Sequence, residues 1–204
     1  MKKLVLMLAV VALIAANVNA QESRDKLYFG LKAGGNYANV YDEQGDQFTA
    51  NGKLGFVGGG FLAIPIGKFL GIQPEILYSQ KGYQGTSVIA GTSYKYSRTS
   101  NFIDIPILIA LKPAEGFTIL GGPQYSYLIK QVDKFDKTSV EANFSNNNIR
   151  KNILCLVLGF DINLEKIVIG ARAGWDMQDN NGDGTSSIPR YKNVWYQATL
   201  GVRF

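Results

Sequence analysis

From Tyr191 to Phe204 apolar and polar positions alternate almost without a break. Val194, Tyr196, Ala198, Leu200, Val202 and Phe204 fall on one parity, and Asn193, Trp195, Gln197, Thr199, Gly201 and Arg203 on the other. Successive side chains of a strand point to opposite faces, so a period of two over this length predicts a β-strand. The pattern recurs in Ile103, Ile105, Ile107, Ile109 and Leu111, in Leu154, Leu156, Leu158, Phe160 and Ile162, and in Ile167, Ile169, Ala171, Ala173 and Trp175. Eight strands are predicted, over Leu27–Val40, Gly52–Ile66, Phe69–Gly82, Tyr94–Leu111, Phe117–Val132, Ile149–Asn163, Lys166–Met177 and Tyr191–Phe204. No stretch shows a 3.6-residue period with caps, which makes the fold class all-β.

The expected connections alternate in length. Long ones cover Tyr41–Asn51, Tyr83–Ser93, Asp133–Asn148 and Gln178–Arg190, and short ones cover Gly67-Lys68, Lys112–Gly116 and Leu164-Glu165. Long loops at one end and tight turns at the other are the asymmetry of outer-membrane barrels. An even number of strands also puts both strand ends on the short-turn side. Lipid offers no partner for backbone N–H and C=O groups, so spanning strands must close on themselves. The predicted architecture is therefore an eight-stranded antiparallel up-and-down transmembrane β-barrel, with the strand at Tyr191–Phe204 pairing with the one that starts near Leu27.

The faces opposite the apolar ones hold Lys32 and Asn36, Gln73 and Glu75, Asp104, Gln124, Arg172 and Asp176, and Gln197 and Arg203. Eight strands enclose a space that side chains just fill. Charges placed there must pair. Lys32, Glu75, Asp104, Arg172, Asp176 and Arg203 are therefore expected to form a buried polar network that plugs the barrel. Gly58-Gly59-Gly60 and Gly121-Gly122 interrupt the alternation and suggest bends or a close approach of strands.

The N-terminus adds an address. Lys2 and Lys3, the apolar run Leu4–Ala16 and the small-residue site Val18-Asn19-Ala20 read as an export signal over residues 1–20, leaving a barrel domain over residues 21–204. With Phe204 as an aromatic membrane-insertion signal, this predicts the outer membrane. The barrel-assembly machinery and outer-membrane lipid are then the expected partners. The formal charge is +5, or +3 once Lys2 and Lys3 leave, and it is scattered, which argues against a nucleic-acid partner.

Candidate chemistry is sparse. The chain has no His, which removes Ser-His pairs and His-ligated metals, and its single Cys155 excludes an internal disulfide. Asp179-Asn180-Asn181-Gly182-Asp183-Gly184 resembles the start of a calcium loop, with Asp179, Asn181 and Asp183 as weak candidate ligands. Its twelfth position is Arg190, where a bidentate Glu belongs. No catalytic residue, metal or cofactor is expected. Aromatics gather at two levels: Tyr78, Tyr83, Tyr94, Tyr96, Tyr125, Tyr127, Tyr191, Trp195 and Tyr196 near the long loops, and Phe69, Phe117 and Phe204 near the short turns. Two such belts fit the two interfaces of a bilayer.

Phe29-Gly30-Leu31-Lys32-Ala33-Gly34-Gly35-Asn36-Tyr37, Phe102-Ile103-Asp104-Ile105-Pro106-Ile107-Leu108-Ile109, Leu120-Gly121-Gly122-Pro123-Gln124-Tyr125 and Gly201-Val202-Arg203-Phe204 together resemble the PorT-like outer-membrane β-barrel domain family. The resemblance implies a small barrel without catalytic residues. The expected function is a non-enzymatic structural or interaction role, exercised through external loops above a side-chain-plugged interior. The alternatives are a narrow porin-like channel or secretion accessory protein, and a soluble lipocalin-like periplasmic carrier.

Overall fold

A computed structural model of the chain describes residues 26–41, 50–89, 92–135, 138–141, 149–181 and 191–204. The export signal at 1–20, Asp183, and most of the loop expected at 41–51 lie outside the described residues. Nine strands are present among the described residues: β1 Tyr28–Tyr41, β2 Asn51–Pro65, β3 Leu70–Ile89, β4 Thr92–Ala114, β5 Phe117–Phe135, β6 Thr138–Glu141, β7 Asn152–Leu164, β8 Ile167–Asp176 and β9 Lys192–Arg203. Eight of them form a closed antiparallel barrel, because the order β4-β3-β2-β1-β9-β8-β7-β5 returns to β4 through a β4–β5 ladder. The expected closure of the last strand on the first is the β1–β9 ladder, from Gly30↔Arg203 to Tyr41↔Lys192.

Two expectations about connections change. Tyr83–Ser93 is not a long loop, since β3 and β4 stay paired from Gln84↔Ser97 to Ile89↔Thr92. The segment is rich in Ser, Thr and Gly and shows no apolar alternation, but backbone pairing needs none once the strands have met. Within Asp133–Asn148, β6 folds back on the end of β5, from Val132↔Glu141 to Phe135↔Thr138. The 20 residues of β3 and 23 of β4 exceed the about 9–11 that cross a hydrocarbon core, so this hairpin continues beyond it.

The alternation sorts as a membrane barrel requires. Leu31, Phe56, Ile76, Ile107, Leu158, Phe160 and Leu200 are exposed on the outer wall, while Lys32, Glu75, Lys81, Asp104, Asp161, Arg172 and Asp176 are buried inside. A lipocalin-like carrier would place the apolar residues inside, so that alternative is corrected. On β4 the outward apolar series from Ile103 to Leu111 spans about the length of strand that a tilted crossing needs. Ile107, 55% exposed, lies at its middle. Ile107→Arg should lower stability by about 2–4 kcal/mol in lipid, the cost of a cation near the bilayer midplane. Equilibrium urea unfolding in vesicles measures it, and a neutral result would mean that this face meets water.

The glycine interruptions are close approaches. A Cβ at Gly59 would lie 2.0 Å from the Ile76 carbonyl oxygen, and one at Gly122 would lie 2.4 Å from that of Ile107. Neighbouring backbones occupy the volume a side chain would need.

Candidate functional site

The interior is filled by polar layers whose charged members come from different strands. In the layer nearer the short turns, Glu75 of β3 is the hub. It accepts from Lys32 Nζ at 2.8 Å, from Gln73 Nε2 at 2.9 Å, and from Arg172 Nη1 and Nη2 at 2.7 and 2.8 Å. Asp161 of β7 joins through its Oδ2, which lies 3.2 Å from Gln73 Nε2 and 3.5 Å from Arg172 Nη2. Two cations thus meet two carboxylates. The Lys32 ammonium also lies over the Phe61 ring at 4.8 Å.

The middle layer centres on Lys81, whose Nζ lies 3.2 Å from Asp104 Oδ2 and donates to Ser126 Oγ at 3.3 Å. The same ammonium sits 3.7 Å from the Trp195 ring centroid and 4.8 Å from that of Phe102. Asp176 is held beside it by donors: the Asn193 backbone N–H at 3.0 Å, Asn180 Nδ2 at 3.3 Å and the Cys155 thiol at 3.2 Å.

At the long-loop end Arg98 closes the mouth. It binds Asp133 with both arms, Nε to Oδ1 at 2.7 Å and Nη2 to Oδ2 at 2.6 Å, while Nη1 donates to the Tyr191 hydroxyl at 2.8 Å. Its guanidinium lies 5.8 and 5.9 Å from the rings of Tyr83 and Tyr191, and Tyr83 meets both Tyr96 and Tyr191 edge-on.

Of the six residues expected in one network, Lys32, Glu75 and Arg172 come together, and Asp104 and Asp176 belong to a separate layer. Arg203 is at the rim, where its Nε donates to the Glu165 carbonyl and its guanidinium covers Tyr28 at 4.9 Å. It sits opposite Gly30, one inward position short of Lys32, and the turn between β7 and β8 brings the Glu165 carbonyl to it. Lys81 and Asp161 are the charges of these two layers that were not anticipated, although each shares the inward parity of its strand, and the Arg98–Asp133 pair at the mouth was not anticipated either. Tyr83 and Trp195, expected in an interfacial belt, point inward and are 3% and 1% exposed. Tyr125, Tyr127 and Tyr196 do face outward. Phe204 stacks on Phe29 at 5.3 Å, and its N–H donates to the Phe29 carbonyl at 2.8 Å.

The weak calcium candidates do not assemble among the described residues. The Asp179 carbonyl accepts from Arg150 Nε at 2.9 Å, Asn181 bridges to Ile149, and no group of three metal-ligating side chains forms. A cation directed at Asp179 opposes a second one there.

The same architecture occurs in solved structures. Neisserial surface protein A superposes with a TM-score of 0.52 at 12% identity, over 86% of this chain and 97% of that one. Ail, the attachment invasion locus protein of Yersinia pestis, superposes in its complex with the heparin analogue sucrose octasulfate. The TM-score is 0.51 at 12% identity, over 88% of this chain and 99% of that one. At these identities the likeness speaks for the fold alone. No curated protein sequence matches the chain. The family profile of the outer membrane protein beta-barrel domain matches residues 19–177, most of the chain. An apolar wall around polar layers is thus joined by a sequence match, and the chain belongs to the outer membrane protein beta-barrel domain family.

Proposed function

We propose that this outer-membrane barrel is a closed, non-enzymatic scaffold that acts through its external loops, those at Asp133–Asn148 and Gln178–Arg190 above all. One observation carries the reading. Along the barrel axis, the Glu75 hub, the Lys81–Trp195–Phe102 cluster and the Arg98–Asp133–tyrosine cap each fill the lumen with side chains that bind one another. Eight strands leave no room for a channel beside such a filling. A substrate would have to displace these hydrogen bonds and ion pairs to reach the groups that make them. Outer-membrane lipid is then the partner of the wall, and the barrel-assembly machinery reads the strand that ends on Phe204. The PorT-like branch is the finer family placement, supported by the four motifs quoted above.

Conductance tests the closed state. Purified protein in a planar bilayer at physiological salt should give no discrete current steps, and reproducible steps would move the assignment to the narrow porin-like alternative. The loops are tested by labelling. Asn146→Cys and Ser186→Cys should react on intact cells with a membrane-impermeant maleimide. The native Cys155 is fully buried inside the barrel and stays silent. Labelling only after cell disruption would place these loops on the periplasmic side.

A further inference from the structure

Above the apolar belt β3, β4 and β5 stay paired, and their outer face changes character. Tyr78, Ile103 and Tyr127 stand level on it. The next outward row is Gln80, Asn101 and Lys130, then Gly82, Thr99 and Val132, then Gln84, Ser97 and Lys134, and beyond these Thr86 and Lys95. Lys95, Lys130 and Lys134 are exposed. None of these positions carries a carboxylate, and β6 adds one, Glu141, opposite Val132.

Two bulges put the lysines there. On β5 the inward parity of Gln124, Ser126 and Leu128 would carry Lys130 and Lys134 into the lumen. The register slips at this point, with Phe102 opposite Leu128 and Asn101 opposite Lys130. One extra residue reverses which side chains point out. Lys130 and Lys134 turn outward, and Gln131 and Asp133 turn inward, where Asp133 meets Arg98. On β2 the register shifts between Gly52 and Val57. The Lys53 ammonium ends on the outer face of β4, where it donates to Thr99 Oγ1, to Ser97 Oγ at 3.4 Å and to the Arg98 carbonyl at 3.5 Å. These three partners are neutral, and the charge of Lys134 opposes that of Lys53.

Height sets this face against lipid headgroups. Two residues advance roughly 6.6 Å along a strand, or about 5 Å along the membrane normal at the tilt of such barrels. The headgroup layer is about 5–8 Å deep on each side of the core. Lys130 stands one such step above Ile103, the Lys53 ammonium two and Lys134 three, and a lysine side chain is long enough to reach back toward that layer. Basic clusters that border a membrane-spanning segment bind anionic headgroups. The short-turn rim is mixed instead, since the exposed Lys68 and Lys166 stand with the exposed Glu115 and Glu165. We propose that Lys53 and Lys134, with Lys95 above them, dock the phosphate of anionic lipid headgroups in the outer leaflet. The site rests on the reading that the long-loop end faces outward, and it gives the lipid-facing wall a charged contact at its upper border.

Nuclear magnetic resonance of the full chain in phosphatidylcholine nanodiscs tests it, with diphosphoryl lipid A as the added probe. The backbone amides of Ser97, Thr99 and Lys134 should shift on addition, and shifts spread evenly around the barrel overturn the site. Lys53→Gln with Lys134→Gln should weaken binding roughly 30-fold, at about fivefold per lysine. Lys68→Gln with Lys166→Gln, at the short-turn rim, should leave it unchanged. Equal losses from the two pairs would mean that net charge alone attracts the lipid, and the site would be wrong. Inorganic phosphate at the same concentration should not reproduce the shifts, and if it does the lipid is not the source. Nanodiscs have no sidedness, so this site can fail while the loops are labelled outside the cell, and the reverse. If the double variant fails to fold, the wild-type shifts decide.

Discussion

Glu75→Ala is expected to lower the unfolding free energy by about 3–5 kcal/mol, the cost of breaking a buried ion pair from one side. The carboxylate accepts four hydrogen bonds in its layer, from Lys32, Gln73 and both terminal nitrogens of Arg172. Without it an ammonium and a guanidinium remain in the lumen, with Asp161 as the carboxylate left in the layer and 3.5 Å from Arg172. Urea unfolding in lipid vesicles measures the loss. Replacing the whole hub at once, Lys32→Met with Glu75→Leu, Arg172→Met and Asp161→Leu, should recover most of it, because apolar groups of similar volume often match a buried ionic cluster. If Glu75→Ala costs less than about 1 kcal/mol, which is the level of an exposed pair, the hub is open to solvent and the closed barrel is wrong.

The second large effect is at Lys81. Lys81→Met should cost about 3–5 kcal/mol for the same reason, since it strands the buried Asp104. It carries an optical signature as well. The ammonium lies 3.7 Å from the Trp195 ring, and its removal should change the emission of that indole. The chain has two tryptophans, so the measurement belongs in a Trp175→Phe background. Adding Asp104→Asn removes the stranded charge and should restore much of the stability while leaving the altered emission. Stability unchanged by Lys81→Met would mean that Asp104 finds another partner, and the layer would have to be redrawn.

Both positions show how far parity alone reaches. Lys81 follows Glu75 by six residues on the same strand, so period two places it inside as firmly as Glu75, and Asp161 follows Cys155 in the same way. Both lie near the ends of their expected strands, where the alternation still holds. Trp195 and Tyr83 carry the same lesson. Grouped by height they join an interfacial belt, whereas their parity turns them into the lumen. Height along a strand is a coarse coordinate, and parity is a strict one.

The β3–β4 hairpin was illegible for a different reason. Beyond the membrane apolar alternation has no cause to persist, and pairing is carried by backbone groups that every residue shares. Arg203 was illegible for a third. Its parity is inward, but it belongs to the rim, where the Glu165 carbonyl presented by the β7–β8 turn reaches it before any carboxylate does.

The sequence by itself determined the class of fold, the number of strands in the barrel wall, the sense of each face and the closure of the last strand on the first. Those follow from local rules: side chains alternate along a strand, and lipid forbids an unpaired backbone. Only the tertiary structure decided which charges meet. Glu75 binds Arg172 from 97 residues away, and it does so because shear between strands brings the two to one height. The register that sets those heights depends on glycine contacts, bulges and turns acting around the whole barrel, and no single strand contains that information.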